Sequence, residues 1–252
     1  PDYLVVWNRI IKNTAVKEYG YSEDSVFVSG TMRFDSYSVN NPNELTREDF
    51  LLSKGLDPKE KTILITTVTK GNYPDEDVLL GELLKARDQG KFSGKPNILV
   101  RMHPKEEFDK FKVYMDSNVP NLHVEYPGKL LSQEMGTRIE IHEDDILNLK
   151  LTLKYSDVVI NYVSTMTLES FIFGKPVVNI DYPEKYHRAY NFRHYKPIVD
   201  AGAVFLSKSF DNLVEHVNIC LKNYDVKKKE QEKVFNDFIF FHQKCCFLNF
   251  LS

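Results

Sequence analysis

Short apolar runs rich in β-branched residues alternate along this chain with amphipathic stretches of helical length. Runs such as Asn97-Ile-Leu-Val-Arg101 and Asp157-Val-Val-Ile160 are almost continuously apolar, which is typical of parallel strands covered on both faces. Strands are predicted over 3–7, 25–29, 62–67, 97–102, 121–125, 157–161, 176–180 and 203–206. Helices are predicted over 8–19, 46–54, 76–89, 105–117, 143–155, 164–173, 208–222 and 226–243. This alternation predicts an α/β fold, a Rossmann-like open parallel sheet with helices on both faces.

The segment 36–43 is polar and rich in turn formers, which is typical of a linker. The chain is therefore predicted to contain the tail of a preceding unit (1–35), a linker (36–45) and a complete Rossmann-type domain (46–252). It also opens at Pro1 directly on a strand-like run, which predicts a piece cut from a longer protein.

Two stretches depart from the regular alternation. Residues 126–136 include Pro127, Gly128 and Gly136, so we predict irregular backbone there. The last predicted helix has a polar first half, but its end over 238–248 is apolar enough to need a covering surface. Left exposed, that end would favour pairing of two copies of the chain.

Composition narrows the class of protein. The 252 residues carry 33 Lys and Arg against 36 Asp and Glu, and 42% are hydrophobic. These values are typical of a globular protein, and the near-neutral charge argues against nucleic-acid binding as the main function. No apolar run approaches the roughly 18–20 residues of a membrane span. The three cysteines, Cys220, Cys245 and Cys246, match neither a disulfide framework nor zinc spacing, which favours a reducing, cytoplasmic compartment.

Candidate chemistry is sought at the ends of the strands, because open parallel sheets bind ligands at their carboxyl ends. No G-x-G-x-x-G or P-loop motif is present. After the strand at 97–102 come Arg101 and His103, followed by Pro104, which suits the first turn of a helix. Arg101 and His103 can both donate hydrogen bonds to a phosphate. The alternative is a His that caps a helix and an Arg paired with a nearby acid.

A second corner follows the strand at 157–161. Ser164 or Thr165 suits the N-cap of the next helix, where hydroxyls and free N–H groups favour an anion. Glu169 lies one turn beyond Thr165 and could accept hydrogen bonds from a ribose diol. The alternative is a capped core helix whose Glu has no binding role.

A third corner follows the strand at 62–67, where Thr67 and Lys70 could form a polar floor for phosphate or sugar; the alternative is an ordinary loop. The acidic run 143–145 looks like a metal cluster, but acids at this place more often favour the positive end of a helix. The segment 182–195 is dense in aromatic and cationic residues. It could stack a sugar or line a cleft, or it could be a loop packed by its own side chains.

Several short motifs follow one another in a fixed order. They are Val28-Ser-Gly30-Thr-Met-Arg33-Phe34-Asp35, Arg101-x-His103-Pro104, Asp157-Val-Val-Ile, Ser164-Thr165, Glu169 and Gly174-Lys175-Pro176-Val177-Val178. In this order they resemble the nucleotide-binding half of GT-B glycosyltransferases. The resemblance is closest to bacterial surface-polysaccharide enzymes, namely CDP-glycerol glycerophosphotransferases, Kdo transferases and sialyltransferases with paired HP and S motifs. It spans residues 25 to about 180.

The resemblance implies two Rossmann-like domains facing across a cleft, with the C-terminal domain holding the activated donor. It implies that His103 and the hydroxyls of Ser164 and Thr165 bind the donor phosphate and that Glu169 holds the ribose. Its final helix would cross back to the other domain. The enzymes that this chain resembles generally use no metal for their chemistry.

The resemblance also gives Arg101 a supporting role and places Gly30 at the domain hinge. The S motif reads Ser164-Thr165 rather than Ser-Ser, which leaves the donor open among CMP-, CDP- and UDP-linked compounds. The acceptor domain, which commonly supplies the catalytic base in these enzymes, is represented only by residues 1–35. We therefore expect the chain alone to be inactive and assign no catalytic residue.

The expected function is donor binding in a transferase of cell-surface or capsule polysaccharide synthesis, with a saccharide acceptor and an N-terminal domain as partners. The expected location is the cytoplasm, at the inner face of the membrane if the acceptor is lipid-linked. Two alternatives remain open at this point. One is a UDP-N-acetylhexosamine 2-epimerase, and the other is a non-catalytic module that binds a nucleotide or a partner through 182–195.

Overall fold

The computed structural model describes residues 1–38, 42–69, 73, 75–106, 108–132, 138–182 and 184–238. Its first elements form a small unit in which strands β1 (Leu4–Val6) and β2 (Val26–Val28) pair in parallel and helix α1 (Arg9–Tyr19) connects them. Asn8 caps α1 by accepting a hydrogen bond from the Ile11 N–H at 2.9 Å. This unit has its own small core and its own sheet.

The rest of the described chain alternates strands and helices. The strands are β3 (Thr62–Thr66), β4 (Asn97–Arg101), β5 (Leu122–Glu125), β6 (Lys129–Ser132), β7 (Arg138–Glu140), β8 (Val158–Asn161), β9 (Val177–Ile180) and β10 (Phe205–Ser207). The helices are α2 (Met32–Ser38), α3 (Arg47–Ser53), α4 (Glu76–Asp88), α5 (Phe108–Met115), α6 (Glu143–Tyr155), α7 (Met166–Ile172), α8 (Lys196–Asp200), α9 (Phe210–Lys222) and α10 (Lys228–Phe238). Short 3₁₀ helices span Glu23–Ser25 and Glu184–Asn191. No helix in this described part of the chain is both long and apolar enough to cross a membrane.

The main sheet has six parallel strands in the order β10-β9-β8-β3-β4-β5. Numbered by their own sequence, these strands run 6-5-4-1-2-3, which is the Rossmann order. The chain starts at β3 in the middle, proceeds to one edge and then returns to β8 on the other side. The topological switch point therefore lies between β3 and β8, which is where such sheets bind ligands.

Helices cover both faces of this sheet, as predicted. One core lies beneath α4, α5 and α9, and its fully buried members include Leu80, Leu83, Phe111, Leu213 and Val217. The other lies beneath α3, α6, α7, α8 and α10, and its members include Phe50, Leu153, Phe171, Ile198 and Phe235. The predicted α/β class is confirmed, and each of the eight predicted strands is present.

The structure differs from the elements predicted from the sequence in three places. The stretch 126–136, predicted to be irregular, contributes β6 to an antiparallel hairpin with β7. Residues 36–38, placed in the predicted linker, form the last turn of α2, and Tyr37 there is buried. The 3₁₀ helix Glu184–Asn191 and α8 were also not predicted. The predicted last helix begins as α10, and its apolar end beyond 238 lies outside the described residues.

Helix α10 packs against α7, which covers one face of the main sheet, and against α1 of the small unit. At its end the Phe238 carbonyl accepts a hydrogen bond from the Asn8 side-chain amide at 3.0 Å. The division of the chain into two domains stays a prediction, and α10 is the element that reaches from one predicted part to the other.

The described cysteine has no partner sulfur. Cys220 is a buried free thiol in α9, and burial raises its pKa to about 12. The thiol is therefore protonated at neutral pH and chemically inert, because the thiolate is the reactive form. Cys245 and Cys246 lie outside the described residues.

Candidate functional site

A cleft of about 530 Å³ opens at the carboxyl edge of the sheet, beside the switch point. We call it the carboxyl-edge cleft, and it is lined by Ser36, Tyr37, Thr66, Thr67, Arg101, Met102, His103, Pro104, Pro127, Ile141, Asp145, Ile146, Leu149, Ser164, Thr165 and Met166. Its walls include five of the eight residues predicted to bind the donor: Thr67, Arg101, His103, Ser164 and Thr165. Corners of the chain that are up to a hundred residues apart therefore meet at one place.

The corners after β3 and β4 are joined by hydrogen bonds. The Thr67 N–H donates to the Arg101 carbonyl at 3.1 Å, and the Thr67 hydroxyl accepts the His103 N–H at 2.7 Å. Beside them the Thr66 hydroxyl is buried and has no hydrogen-bond partner in the ranges that the structure describes. Because buried polar groups are normally satisfied, an unused hydroxyl in a cleft wall fits a ligand that supplies the partner.

His103 is held as a hydrogen-bond donor. Its Nδ1 accepts the Lys105 N–H at 3.0 Å, so in the neutral ring the proton lies on Nε2. Burial, followed by the nearby charge of Lys105, lowers the pKa of His103 below its ordinary value. The side chain therefore enters the cleft as a neutral imidazole with an Nε2–H group available at neutral pH, a group suited to a phosphate oxygen.

The start of α7 supplies two hydroxyls to the same cleft. The Ser164 hydroxyl accepts the Met166 N–H at 3.2 Å and so caps the first turn. Thr165, the residue directly before the helix, makes no side-chain cap bond. Both residues line the cleft and neither hydroxyl donates a hydrogen bond to a described residue, so both can donate to a ligand oxygen.

A buried polar network holds the end of β8 under this turn. The Asn161 amide donates to the Thr167 hydroxyl, and the Asn179 amide donates to the Asn161 side-chain oxygen. The Tyr195 hydroxyl closes the network, lying 2.7 Å from the Thr167 hydroxyl and donating to the Asn179 side-chain oxygen at 2.8 Å. All four side chains are buried. The network therefore fixes the strand end from which Ser164 projects.

Removing the Tyr195 hydroxyl is expected to destabilise the fold without altering its packing. Tyr195→Phe leaves buried Thr167 and Asn179 atoms with one partner fewer, which costs about 1–3 kcal/mol of unfolding free energy. Chemical denaturation measures this loss, with Tyr19→Phe, an exposed tyrosine on α1, as the control. Equal stability of the two variants would show that the network contributes nothing.

Arg101 lines the cleft but is already paired. Its guanidinium donates to Glu125 at 2.5 Å, and the two residues are register neighbours on β4 and β5. Lys54 and Asn148 also bind Glu125, at 2.7 and 2.9 Å. Burial opposes ionisation of Glu125, but the His123 imidazole, whose Nε2 lies 3.7 Å from the carboxylate, and the charges of Arg101 and Lys54 hold its pKa far below the ordinary value. The geometry thus agrees with the alternative in which Arg101 pairs with an acid.

Glu169 lies behind the cleft rather than in its wall. It is fully buried in α7 and accepts a hydrogen bond from the Tyr37 hydroxyl. Tyr37 itself lines the cleft, so Glu169 is connected to the cleft wall by its hydrogen bond with that tyrosine. Its role in holding a ribose stays a prediction.

The two remaining predicted residues lie elsewhere. Gly30 is in the turn between β2 and α2, with φ at 78°, a conformation that glycine adopts without strain. It lies outside the cleft, at the junction of the small unit with the rest of the chain, and its hinge role stays a prediction. Lys70 lies outside the described residues.

Some features of the carboxyl-edge cleft were not predicted from the sequence. Ser36 and Tyr37 come from a segment read as linker, yet both line the cleft. Asp145 accepts hydrogen bonds from the N–H groups of His142 and Gly128, which agrees with the capping role expected for 143–145. Within the described ranges no group of three or more His, Cys, Asp or Glu is placed to hold a metal ion.

The segment 182–195 packs the described side chains of Tyr182, Tyr190 and Tyr195 against the two cores of the main sheet. Tyr190 and Tyr195 are buried with their rings in edge contact, and the Tyr190 hydroxyl donates to the Ile180 carbonyl. Two of its basic residues pair with acids outside the segment: the His187 Nδ1 lies 2.8 Å from the fully buried carboxylate of Asp181, and the Arg193 guanidinium donates to Glu18. These tyrosines therefore have a structural role, and binding of a sugar or a partner through this segment stays a prediction.

No protein-family profile and no curated protein matches the chain. Solved structures do. A variant of the wall teichoic acid polymerase TagF matches with a TM-score of 0.60 at 17% identity, over 94% of this chain and 53% of the other. The MnaA protein of S. aureus in complex with UDP matches at 0.55 and 15%, over 93% and 58%. A UDP-GlcNAc 2-epimerase from Methanocaldococcus jannaschii matches at 0.55 and 18%, over 92% and 61%. The fold is of the GT-B type.

This result confirms the predicted GT-B resemblance at the level of the fold. The chain spans between about half and three-fifths of the length of the GT-B structures it matches. Both a wall teichoic acid polymerase and UDP-GlcNAc 2-epimerases appear among them, so the shared fold alone does not fix the reaction.

Proposed function

We propose that this chain is the nucleotide-donor-binding part of a GT-B transferase that moves a sugar or a polyol phosphate onto an acceptor hydroxyl in cell-surface polysaccharide synthesis. One observation carries the proposal: His103, Ser164, Thr165 and an unpartnered Thr66 hydroxyl converge in one cleft beside the switch point of a Rossmann-ordered sheet. That place is where such sheets bind nucleotides.

In this proposal the donor phosphates take their hydrogen bonds from neutral groups. His103 donates through Nε2–H, and the hydroxyls of Ser164 and Thr165 donate from the opposite corner of the cleft. Because Arg101 is paired with Glu125, it acts as a brace for the β4 corner. Donors fixed in advance around a departing phosphate stabilise the charge that develops on it during direct transfer.

The matched structures support a nucleotide-linked donor. One TagF structure contains CDPG and the MnaA structure contains UDP. Since the chain covers about half of TagF, the acceptor site and catalytic base are assigned to the remainder of a longer protein. The chain alone then binds donor without turnover. For the whole protein we propose a cytoplasmic location at the inner membrane face.

Nucleotide titration of this chain tests the proposal. Calorimetry with CMP, CDP, UDP and GDP is expected to give micromolar binding of one pyrimidine nucleotide. Ser164→Ala is expected to weaken that binding about tenfold, because a hydroxyl donor to an anionic oxygen is lost.

The matched control for this variant is Ser209→Ala. Ser209 caps α9 by accepting the Asn212 N–H at 3.2 Å, the same cap distance as at Ser164. Both variants lose a cap worth about 1 kcal/mol, but only one lies in the cleft. Equal affinities in the two variants, or silence from all four nucleotides in the wild-type chain, would overturn the proposed site.

A UDP-N-acetylhexosamine 2-epimerase is the second candidate. It is favoured by epimerase structures that match nearly as well as TagF, including one bound to UDP-GlcNAc with a TM-score of 0.54. Product analysis on the full-length protein separates the two candidates. An epimerised nucleotide sugar without acceptor supports the epimerase, and a sugar or polyol phosphate joined to an acceptor supports the transferase.

A further inference from the structure

A second and larger cleft of about 870 Å³ lies at the opposite edge of the sheet, where the strands begin. We call it the amino-edge cleft. Its wall contains Lys61 and Asp157, directly before β3 and β8, and Lys175, two residues before β9, together with parts of α6, α7 and α10. Since strands rise about 3.3 Å per residue, the two clefts are separated by roughly 15 Å of sheet. The amino-edge cleft plays no part in the proposed donor site.

Cations outnumber acids in this wall. The basic residues are Arg47, Lys61, Lys154, Lys175 and Lys228, and the acidic ones are Asp157, Asp225 and Glu232. Asp157 is shared, since it accepts from Lys61 at 2.8 Å and from Arg47 at 3.3 Å. It also accepts the Thr62 N–H at 2.8 Å. One carboxylate therefore already serves two cations and a backbone donor.

Among the cations of this wall, Lys175 differs because it forms no ion pair with a described residue. Lys154 pairs with Glu44, and Lys228 lies 3.5 Å from Asp225. The Lys175 ammonium, in contrast, has no ion pair or hydrogen bond to any of the described residues. Burial lowers its pKa to about 8; the charge of Asp157 opposes this shift, and the neighbouring charges of Arg47, Lys61 and Lys154 add to it.

This arrangement is costly when the cleft holds only water. Lys175 is partly buried, and carrying a charge there beside like charges costs hydration that no ion pair to a described residue offsets. A bound anion would offset this loss of hydration. The aromatic side chains of Tyr155, Phe171, Tyr224 and Phe235 in the same wall would pack against the organic part of such a ligand.

We propose that the amino-edge cleft binds a phosphate-bearing ligand, with Lys175 as its charge partner. A phosphate is favoured over a carboxylate because several cations converge and a group with two charges compensates more of them. The competing explanation is that these cations only complement the negative ends of α6 and α7, which terminate here. That explanation accounts for Lys154 but gives no reason for Lys175 to lie partly buried beside three like charges.

The test follows Lys175 itself. Lysine side chains are labelled with ¹³C at Cε, and the titration of the Lys175 signal is recorded by NMR with increasing inorganic phosphate. We expect a saturable rise of the Lys175 pKa toward the ordinary 10.5. The same rise is expected in His103→Ala, which shows that the result is independent of the carboxyl-edge cleft.

Lys175→Met tests the role of the charge. Methionine keeps much of the stem volume and removes the amine, so stability is expected to be unchanged or higher. Phosphate affinity, followed through the amide signals of Tyr155 and Tyr224, is expected to fall at least about tenfold. Lys112→Gln, at an exposed position of α5, is the control and should leave affinity unchanged.

Two results would overturn the inference. One is a Lys175 pKa that shifts with phosphate no more than that of Lys112, since this is ordinary screening by salt. The other is phosphate binding in the cleft that is equally tight in Lys175→Met. If phosphate leaves the Lys175 pKa of the wild-type chain unchanged while Lys175→Met lowers the thermal stability, that outcome also overturns the inference, because it assigns Lys175 a purely structural role.

Discussion

Arg101→Met is expected to lower the free energy of unfolding by about 3 kcal/mol. The guanidinium and the Glu125 carboxylate are both buried, and removing one member of a buried pair leaves the other charge without its closest partner. Lys54 still binds Glu125, which keeps the loss at the lower end of the range for such pairs. Urea denaturation at neutral pH measures it.

A double-mutant cycle identifies the pair as the cause. Arg101→Met, Glu125→Gln and the combined variant should give a coupling free energy of about 1–3 kcal/mol. Additive losses would mean that Arg101 stabilises the fold through other contacts, such as its 3.4 Å hydrogen bond to the Asp145 carbonyl.

The pH dependence of the same loss has a definite sign. The pKa of Glu125 is lower in the folded than in the unfolded chain, so its ionised form contributes stability above the ordinary glutamate value of 4.5. That contribution disappears as the pH falls below this value toward the lowered pKa. The difference between the wild-type chain and Arg101→Met should therefore shrink on acidification, and a difference that grows would contradict the assignment.

His103→Asn is expected to weaken binding of the preferred nucleotide about 10- to 100-fold. The asparagine oxygen can take the place of Nδ1 and keep the hydrogen bond from the Lys105 N–H, so the local turn survives. The Nε2–H donor is lost, and a hydrogen bond to a charged group contributes about 1.5–3 kcal/mol. Calorimetric titration measures the change.

The matched variant is His103→Gln, whose amide reaches the position of Nε2. It should recover part of the affinity lost in His103→Asn. Wild-type affinity in His103→Asn would remove this residue from the site. If instead both variants bind weakly and equally, the ring rather than the Nε2–H group is what the ligand requires.

Protonation adds a second signature of His103. The ring is neutral in the free chain because its pKa lies below the ordinary 6.5, and a bound phosphate raises that pKa. Binding therefore takes up a proton near and below pH 6.5, and affinity for a nucleotide sugar rises as the pH falls through this range. His103→Gln should show no such rise.

Much of the fold could be predicted because the buried strands have a clear apolar pattern in the sequence. Continuous apolar runs such as 62–67 and 157–161 admit few other structures. The β6–β7 hairpin could not be predicted in the same way, because its strands of three and four residues lie beside glycine and proline and show no clear alternation. Helix α2 was not predicted, because local patterns assign Ser36 and Ser38 to turns.

The candidate site was predicted as a set of corners but not as a set of contacts. Topology brings Thr67, His103 and Ser164 to one edge, and strand ends suffice to see that. The pairing of Arg101 with Glu125 depends on the register of β4 against β5, which no local pattern contains. The bond from Tyr37 to Glu169 joins residues 132 positions apart and depends on how α2 settles over α7.

That last contact means that the sheet and the cleft have different boundaries along the chain. A polypeptide starting at residue 46 would retain all six strands of the main sheet. It would lack Ser36 and Tyr37, and with them one wall of the cleft and the phenol that hydrogen-bonds Glu169. Domain dissection or chimaera design at the predicted linker would therefore keep every strand of the main sheet while removing Phe34 and Tyr37 from its core and dividing the binding unit.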